Sequence, residues 1–584
     1  MRYSARTAVA RLSVGALVGT GLLAAPLHAD ASPSRSSSPS TSSSLSGSSS
    51  PYRGSVATTE DYVVLYAAGA SVSAARTAIA KAGGTVVRDN SKVGYALVRS
   101  GDASFVNQVA KESVLDGAAR NRPVGYAPKA GPKQLDVERL ASAGTSSQNA
   151  STAVKRRGVL ADPLADRQWD MRQIGATPAG SYRLQQGSRK VLVGVIDTGI
   201  DGTHPDISAN FDVANSRNFT TDLPSVDGPC EFASCKDPAN WDDHGHGTHV
   251  ASTIGSPING RGISGVAPNV TLVNLRAGLD SGYFFLQATL DALTYAGDLG
   301  VDVVNMSFYT DPWRFNCLNN PADSPAEQRE QRTVRVATQR AMNYAVSHGV
   351  APVAAAGNEA TNLGKPTVDD SSPNFPPGSG KNRDIDNSCI TVPVELKGVN
   401  VVSATGFSTR KSFYSNWGRE QTDVAAPGGD TYDTPNRTQD VRRAVLAAYP
   451  TRLGRLAGTI DAKGNPTTDA VVKDCSGGTC AYYQYLQGTS MAAPHAAGVG
   501  ALIVSEYGSK DPVHANGLTL KPSRTRNILL RTATEHACPQ PRLFRYQRVL
   551  ADGSVATSSA YCHGAVADNG FYGHGIVNAG AAVR

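Results

Sequence analysis

Long apolar runs are scarce in this sequence of 584 residues, and neither sign of charge is in strong excess. The one extended apolar run, Leu12 to Leu23, is shorter than the roughly 20 residues that a membrane-spanning helix needs. We therefore expect no membrane-embedded domain. Hydrophobic residues make up 40% of the chain and charged residues 18%, which excludes a collagen-like or fully disordered protein and indicates a globular one.

Cysteine is absent from the first 229 residues, and no two cysteines have the two-residue spacing of a zinc knuckle. A cysteine-based metal site is therefore not favoured. If the chain is exported, its eight cysteines predict disulfides, although eight allow 105 pairings. Two pairs enclose four residues each and could close locally: Cys230/Cys235 and Cys475/Cys480. Four cysteines would then remain: Cys317, Cys389, Cys538 and Cys562.

The N-terminus has the three parts of a secretory signal peptide. Arg2, Arg6 and Arg11 precede the apolar run, and Ala29-Asp30-Ala31 supplies small residues for cleavage. We assign residues 1–31 to this signal, with an N-terminal membrane anchor as the alternative. The mature protein is then expected to be secreted and extracellular, without membrane attachment.

Composition divides the rest of the chain into four segments. Residues 32–51 form a Ser-rich low-complexity linker, and residues 52–127 form a small domain with strand and helix patterns. Residues 128–161 are a second polar linker, which contains the basic run Lys155-Arg156-Arg157. That run is interpreted either as a processing site or as a solvated part of the linker. Residues 162–584 hold every cysteine and every motif described below.

Strand and helix patterns alternate in this last segment. Continuous apolar runs at Val191–Ile196, Val301–Ser307 and Val350–Ala355 are typical of buried parallel strands, and Phe285–Leu299 and Arg335–Ser347 have helical patterns. The alternation predicts an α/β fold with a mostly parallel central sheet. In such folds the active site lies beyond the carboxyl ends of the strands.

Three short motifs carry residues that can perform nucleophilic catalysis. Asp197 follows the first apolar strand, His246 opens a Gly-flanked helix pattern, and Ser490 precedes another helix pattern. A serine hydroxyl is a weak nucleophile unless an imidazole takes its proton, and a carboxylate must fix the tautomer of that imidazole. The three residues therefore predict a catalytic triad.

The motifs around these residues resemble those of the subtilisin-like (subtilase) secreted serine proteases, in the same order Asp, His, Ser. They read Asp197-Thr198-Gly199-Ile200-Asp201, His246-Gly247-Thr248-His249-Val250-Ala251 and Gly488-Thr489-Ser490-Met491-Ala492-Ala493-Pro494. The resemblance covers residues 162–584 and implies a three-layer subtilisin-like fold. It also implies a serine endopeptidase that cleaves polypeptides through an acyl-enzyme. By the same resemblance, Asn358 in Ala355-Ala356-Gly357-Asn358 supplies the oxyanion hole together with the Ser490 backbone N–H.

The resemblance extends to the N-terminal part and to substrate contacts. The small domain resembles the family's βαββαβ propeptide, which would act as an intramolecular inhibitor and imply autoprocessing; a free-standing interaction domain is the alternative. Substrate contacts are expected from five residues: Ser307, Phe308, Tyr309, Gly278 and Gly357. At the position of Tyr309 many relatives have glycine. A bulky Tyr309 and a long polar insertion at residues 429–478 favour a narrow-specificity processing protease as the runner-up.

Catalysis is expected to need no cofactor, whereas structural calcium is a further implication of the resemblance. Asp206 and Asn259 match two oxygen-ligand positions, with Gln168 as a third, and hard oxygen ligands suit Ca²⁺. Two other function classes compete with the protease: a zinc enzyme using His244, His246 and His249, and an inactive secreted binding module. His249 is interpreted as a packing residue.

The net charge of +7 invites a nucleic-acid interpretation, which the distribution of charge does not support. Residues 1–160 hold 19 basic and 9 acidic side chains, whereas residues 161–584 hold 37 and 40. The basicity therefore lies in the segments expected to be removed. We expect a monomer that binds its own propeptide and polypeptide substrates, with no nucleic acid.

Overall fold

A computed structural model describes residues 59–126, 161–308, 312–376 and 378–584. The predicted signal peptide, the Ser-rich linker and almost all of the second linker lie outside these residues. None of the described helices combines the length and the apolar character that crossing a membrane requires.

The first described segment is the small domain, in the expected βαββαβ order. Its elements are β1 (Glu60–Tyr66), α1 (Val72–Lys81), β2 (Thr85–Asn90), β3 (Tyr95–Ser100), α2 (Phe105–Val109) and β4 (Leu115–Arg120), followed by β5 (Pro123–Tyr126). Strands β1–β4 form an antiparallel sheet in the order β2-β3-β1-β4. One face of this sheet and both helices enclose a core of their own, around Val64, Ile79 and Phe105.

The large domain begins with the elements that carry two of the triad motifs. They are α3 (Trp169–Gln173), α4 (Ser181–Leu184), β6 (Leu192–Ile196), β7 (Arg217–Asn218), α5 (Pro224–Asp227), α6 (His246–Gly255), β8 (Thr271–Arg276), β9 (Tyr283–Phe285), α7 (Leu286–Leu299) and β10 (Val303–Met306). After these come α8 (Pro325–Ser347), β11 (Ala351–Ala355), β12 (Val368–Asp369), β13 (Arg383–Asp384), β14 (Asn400–Thr405) and β15 (Val424–Pro427).

The remaining elements carry the serine motif and the C-terminal part. They are β16 (Val445–Ala448), α9 (Thr451–Leu456), β17 (Val471–Asp474), β18 (Ala481–Leu486), α10 (Thr489–Tyr507), β19 (Ser509–Lys510), β20 (Leu518–Thr519), α11 (Pro522–Thr532), β21 (Leu543–Val549) and β22 (Val555–Tyr561). Four disulfides join Cys230–Cys235, Cys317–Cys389, Cys475–Cys480 and Cys538–Cys562.

A seven-stranded sheet in the order β15-β14-β11-β10-β6-β8-β7 forms the centre, and every neighbouring pair in it is parallel. Alternate residues of each strand enter different cores because side chains alternate across a sheet. Val193 and Val303 belong to the core shared with α6 and α10, whereas Ile196 and Val304 belong to the core shared with α7 and α8. The three-layer α/β fold is thus confirmed.

One helix is longer than its periodicity predicts. The pattern indicates Arg335–Ser347, but α8 begins at Pro325. Ser324 caps it by accepting a hydrogen bond from the Glu327 N–H, and the Glu327 side chain accepts one from the Ser324 N–H. This capping box, with Pro at the first helical position, is readable in Ser324-Pro325-Ala326-Glu327.

Candidate active site

Asp197 and His246 form a buried pair at the carboxyl edge of the central sheet. Asp197 is the first residue after β6, and His246 is the first residue of α6. The Asp197 Oδ1 and His246 Nδ1 atoms are 2.7 Å apart, and both side chains are buried. This contact places the Nδ1 proton of His246 against the carboxylate, which fixes the tautomer whose Nε2 can act as a base.

Two glycines let the two motifs approach this closely. A Cβ atom at Gly247 would lie 2.1 Å from the carbonyl oxygen of Gly199, and Gly199 itself has φ +135°. Any side chain at Gly247 would therefore force the start of α6 away from the end of β6. The glycine of the His246-Gly247-Thr248 motif has a steric role that supports the pair.

Asp242 is a positioning residue that the sequence did not single out for this role. Its carboxylate accepts hydrogen bonds from the N–H groups of His244, Gly245 and Thr248 and from the hydroxyls of Thr198 and Thr248. An acidic acceptor before the first turn of a helix is a known capping pattern, and Asp242 stands four residues before His246. The five bonds hold the turn that delivers His246.

Ser490 is buried in the first turn of α10 and is fastened to the end of β10. Its Oγ donates to the Ser307 carbonyl over 3.2 Å, and the Ser307 Oγ donates to the Ser490 carbonyl over 2.9 Å. The Asn305 side chain donates to the Ser307 Oγ over 2.9 Å. Helices α6 and α10 pack together, so the two helix starts that carry His246 and Ser490 belong to one packed pair.

Asn358 follows β11, and Thr489 fixes its amide. The Asn358 Oδ1 accepts hydrogen bonds from the N–H and the hydroxyl of Thr489, each over 2.9 Å. Since the amide oxygen is held, the amide nitrogen is directed to the opposite side. The Gly357 N–H donates to the Thr489 Oγ, and its carbonyl accepts from the Asn416 N–H. Thr489 and Asn416 thus support Asn358 and Gly357, a role that the sequence motifs alone do not indicate.

Comparison with known proteins agrees with this geometry. Residues 188–575 match the sequence model of the Subtilase family. This chain belongs to the subtilase family. It is 28% identical to subtilisin DY of Bacillus licheniformis over 344 residues, which cover 59% of this chain and 84% of that protein. It is 29% identical to subtilisin Savinase of Lederbergia lenta over 366 residues, 63% of this chain and 91% of Savinase. The protein is therefore a serine-type endopeptidase.

Solved structures show the same fold. The epidermin leader peptide processing serine protease of Staphylococcus aureus superposes with a TM-score of 0.58 at 19% identity, covering 90% of this chain and 98% of that one. Fervidolysin of Fervidobacterium pennivorans gives a TM-score of 0.53 at 22% identity, covering 90% of this chain and 61% of that one.

The residues expected to contact substrate have different surroundings in this subtilase. The Phe308 ring is buried and stacks on Phe284 with ring centroids 4.2 Å apart, so its side chain belongs to the core. The Gly278 N–H donates to the Asp197 carbonyl and its own carbonyl accepts from Arg276 Nε. The Gly278 N–H is therefore engaged internally, whereas its carbonyl keeps a second acceptor position, and a substrate contact by Gly278 stays a prediction. Tyr309 lies outside the described residues.

The expected calcium ligands do not fit a metal ion in this structure. Both oxygens of Asp206 accept hydrogen bonds from protein donors: the Asn259 amide, the Ile263 N–H and the Tyr483 hydroxyl, over 3.0–3.1 Å. Asn259 thus presents its nitrogen rather than its oxygen to Asp206. Both ends of the Gln168 amide bond to the backbone of Ser264. Burial is the main cause that raises the pKa of Asp206 to about 8. The sequence-based calcium expectation at Asp206 and Asn259 is therefore corrected.

The histidine-zinc alternative also fails. His246 Nδ1 contacts Asp197, and His249 Nε2 contacts the carbonyl oxygens of Val445 and Gln484. Burial lowers the pKa of His249 to about 3, so this ring is neutral and serves packing, as predicted. Among the described residues, no group of potential metal ligands within reach of one ion includes a histidine.

Proposed function

We propose that this subtilase is a secreted endopeptidase that cleaves polypeptides through an acyl-enzyme on Ser490. His246 is the general base and then the general acid, Asp197 orients it, and Asn358 with the Ser490 N–H binds the oxyanion. The observation that carries the proposal is the buried 2.7 Å contact between Asp197 and His246. A buried carboxylate in this position stabilises the imidazolium that forms when His246 takes the serine proton.

The anchoring of Asn358 by Thr489 supports the oxyanion role. A tetrahedral intermediate gains most from donors that are already fixed where its negative charge develops. The first turn of α10 adds the positive end of a helix dipole at Ser490. Both contributions are in place before substrate binds, so little reorganisation is needed during the reaction.

We also propose that the small domain is an inhibitory propeptide removed by self-cleavage. Its strand β5 pairs antiparallel with β9, opposite Tyr283 to Phe285, so the chain leaves the domain along an edge of the large domain. Arg120 and Arg122 both pair with the buried Glu330 of α8. The Tyr95 hydroxyl and the Arg88 guanidinium bond to Asp291 of α7. These contacts hold the domain against α7 and α8.

The start of the mature chain is expected within residues 127–161, since Asp162 is already built into the large domain. Its carboxylate accepts hydrogen bonds from the Asn259 and Gly260 N–H groups and from the Ser264 hydroxyl. Cleavage after Asp162 would break these three bonds, whereas cleavage before it would keep them.

The test compares Ser490→Ala with Ser523→Ala, a substitution of an exposed serine on α11. We expect Ser490→Ala to lose about six orders of magnitude in kcat, the size of the effect in subtilisin. It should also lose labelling by a fluorophosphonate probe and accumulate as uncleaved precursor. Ser523→Ala should be labelled and processed like the wild type. A Ser490→Ala protein that still labels and matures would refute the assignment.

A narrow-specificity processing protease is the second candidate, and the position of the insertion favours it. Helix α9 lies within the residues between β16 and β18, next to the glycine that precedes His246. A Cβ at Gly245 would be 3.2 Å from Leu453 and 3.6 Å from Pro450. Arg452 pairs with Asp243 and lies over the Trp241 ring. Cleavage of a mixed peptide library, with the epidermin leader peptide included, separates a broad from a narrow preference.

A further inference from the structure

The loop that carries Asn358 is fastened to a second segment of the chain. This Asn358 loop, residues 356–361, directly follows β11, and the second segment, residues 414–417, lies between β14 and β15. Three backbone hydrogen bonds of 2.6–3.0 Å join them: Asn416 N–H to the Gly357 carbonyl, Ala360 N–H to the Tyr414 carbonyl, and Trp417 N–H to the Thr361 carbonyl. The path of the loop therefore depends on residues that are distant in the sequence.

Every hydrogen-bonding group of the Asn416 side chain contacts the Asn358 loop. A side-chain amide has two donor hydrogens and an oxygen with two acceptor positions. The Asn416 Oδ1 accepts from the N–H groups of Glu359 and Thr361, over 3.1 and 2.8 Å. Its Nδ2 donates to the Ala356 carbonyl over 3.0 Å and to Glu359 Oε2 over 2.6 Å. Since Asn416 is only 3% exposed, water has little access to replace a lost partner.

Asn416 holds the residues on both sides of Asn358. A Cβ atom at Gly357, where φ is +101°, would lie 2.4 Å from Asn416 Nδ2, so the loop rests directly on the amide and only glycine allows this approach. Ala360 has φ +51°, a left-handed conformation that persists only where the surroundings enforce it. The hydrogen bonds to residues 414–417 supply this constraint. Asn358 thus extends from a backbone that is fixed before and after it.

We infer that Asn416 is a positioning residue for the oxyanion donor Asn358, an inference that rests on the proposed function. Thr489 fixes the side-chain oxygen of Asn358, whereas Asn416 fixes the backbone that carries this side chain. A donor stabilises the tetrahedral intermediate best when it is already in place as the negative charge develops. Loss of Asn416 should therefore lower kcat and leave KM nearly unchanged, because the affected interaction is made in the transition state.

A double-mutant cycle in the full chain tests this coupling. We measure kcat and KM with a peptide anilide, per active site titrated to completion with a fluorophosphonate, so that inactive molecules are not counted. Asn416→Ala should lower kcat about 10- to 100-fold. In the Asn358→Ala background the same change should have little further effect, since the donor that Asn416 positions is gone. Asn343→Ala, an exposed substitution on α8, should leave kcat unchanged in both backgrounds.

A hydrogen bond of reversed direction provides a rescue experiment. Asn416→Asp keeps an acceptor for the Glu359 and Thr361 N–H groups, but it sets a second carboxylate against that of Glu359. Adding Glu359→Gln restores a donor and an acceptor at this contact. The double variant should therefore have a higher kcat than Asn416→Asp alone, whereas Glu359→Gln alone should stay close to the wild type because its amide oxygen can still accept from Asn416.

The outcomes separate this inference from the proposed function. Asn358→Ala with the wild-type kcat would refute the oxyanion role and, with it, the inference. If Asn358→Ala behaves as expected, an equal loss of kcat from Asn416→Ala in both backgrounds, or a change in KM alone, refutes only the role of Asn416. If Asn416→Ala does not fold, the rescue decides: a double variant no more active than Asn416→Asp contradicts the inference.

Discussion

The hydroxyl of Tyr483 is one of the hydrogen-bond donors to the buried Asp206 carboxylate. Removing this hydroxyl should lower the free energy of unfolding by an amount that follows from the structure. Tyr483 lies on β18, its hydroxyl donates to Asp206 Oδ2 over 3.0 Å, and both side chains are fully buried. At pH 9, above the pKa of about 8 to which burial raises Asp206, the acceptor is a charged carboxylate. A hydrogen bond to a charged acceptor contributes about 1.5–3 kcal/mol, and Tyr483→Phe removes this donor without removing the ring. We expect the free energy of unfolding to fall by about 2 kcal/mol.

The neighbouring Tyr482 provides a matched control. Its hydroxyl donates to the carbonyl of Gly464, a neutral backbone acceptor, over 2.8 Å. Tyr482→Phe should therefore cost about 1 kcal/mol. Urea unfolding of both variants at pH 9 in the Ser490→Ala background measures the difference. Equal losses would refute the special role of Tyr483. The role would also be refuted if added calcium restored the free energy of unfolding of Tyr483→Phe but not that of Tyr482→Phe, because Asp206 would then be a metal ligand.

Two further predictions concern catalysis and pH. Asn358→Ala should lower kcat by about 10²–10³ with a smaller change in KM, as measured with a peptide anilide, and an unchanged kcat would exclude its oxyanion role. Lys411 is buried, donates to the carbonyls of Ser412 and Ser415, and lies 4.7 Å from the Trp417 ring; burial lowers its pKa to about 7. Because the unfolded chain keeps this proton up to about pH 10, the free energy of unfolding should rise by up to about 1.4 kcal/mol per pH unit from pH 7 to 10. In urea unfolding measured over this pH range, Lys411→Met should flatten the rise. An unchanged dependence of the free energy of unfolding on pH would contradict the lowered pKa of Lys411.

The sequence predicts the three-layer fold because that fold depends on local patterns, and the same patterns explain where the expected site residues lie. The apolar runs that end near Ile196 and Ala355 are the buried parallel strands β6 and β11, and Asp197 and Asn358 follow close behind them. Residues that follow parallel strands meet at one edge of the sheet, so their convergence follows from the pattern. The placement of Asp197 and Asn358 at one edge has this origin, whereas His246 reaches the same edge from the start of α6.

The calcium expectation is wrong for a reason that local patterns cannot show. Tyr483 is 277 residues away from Asp206 along the chain, and its strand belongs to a separate three-stranded sheet. Gly262, with φ +47°, makes room for it, since a Cβ there would lie 1.7 Å from the Tyr483 hydroxyl. Neither Tyr483 nor Gly262 belongs to one of the sequence motifs described above.

The uneven distribution of charge has a structural counterpart in the contact between the small domain and helices α7 and α8. Most ion pairs across this contact join a basic residue of the small domain to an acidic residue of the helices: Arg88–Asp291, Lys92–Asp298, Arg120–Glu330 and Arg122–Glu330. One pair has the reverse order, Asp116–Arg340. Salt screens the exposed pairs, but Glu330 is only 2% exposed and is screened much less. The positive charge near the N-terminus is therefore matched, in part, by the surface that the small domain covers, and separation of the two parts requires Glu330 to lose both of its arginine partners.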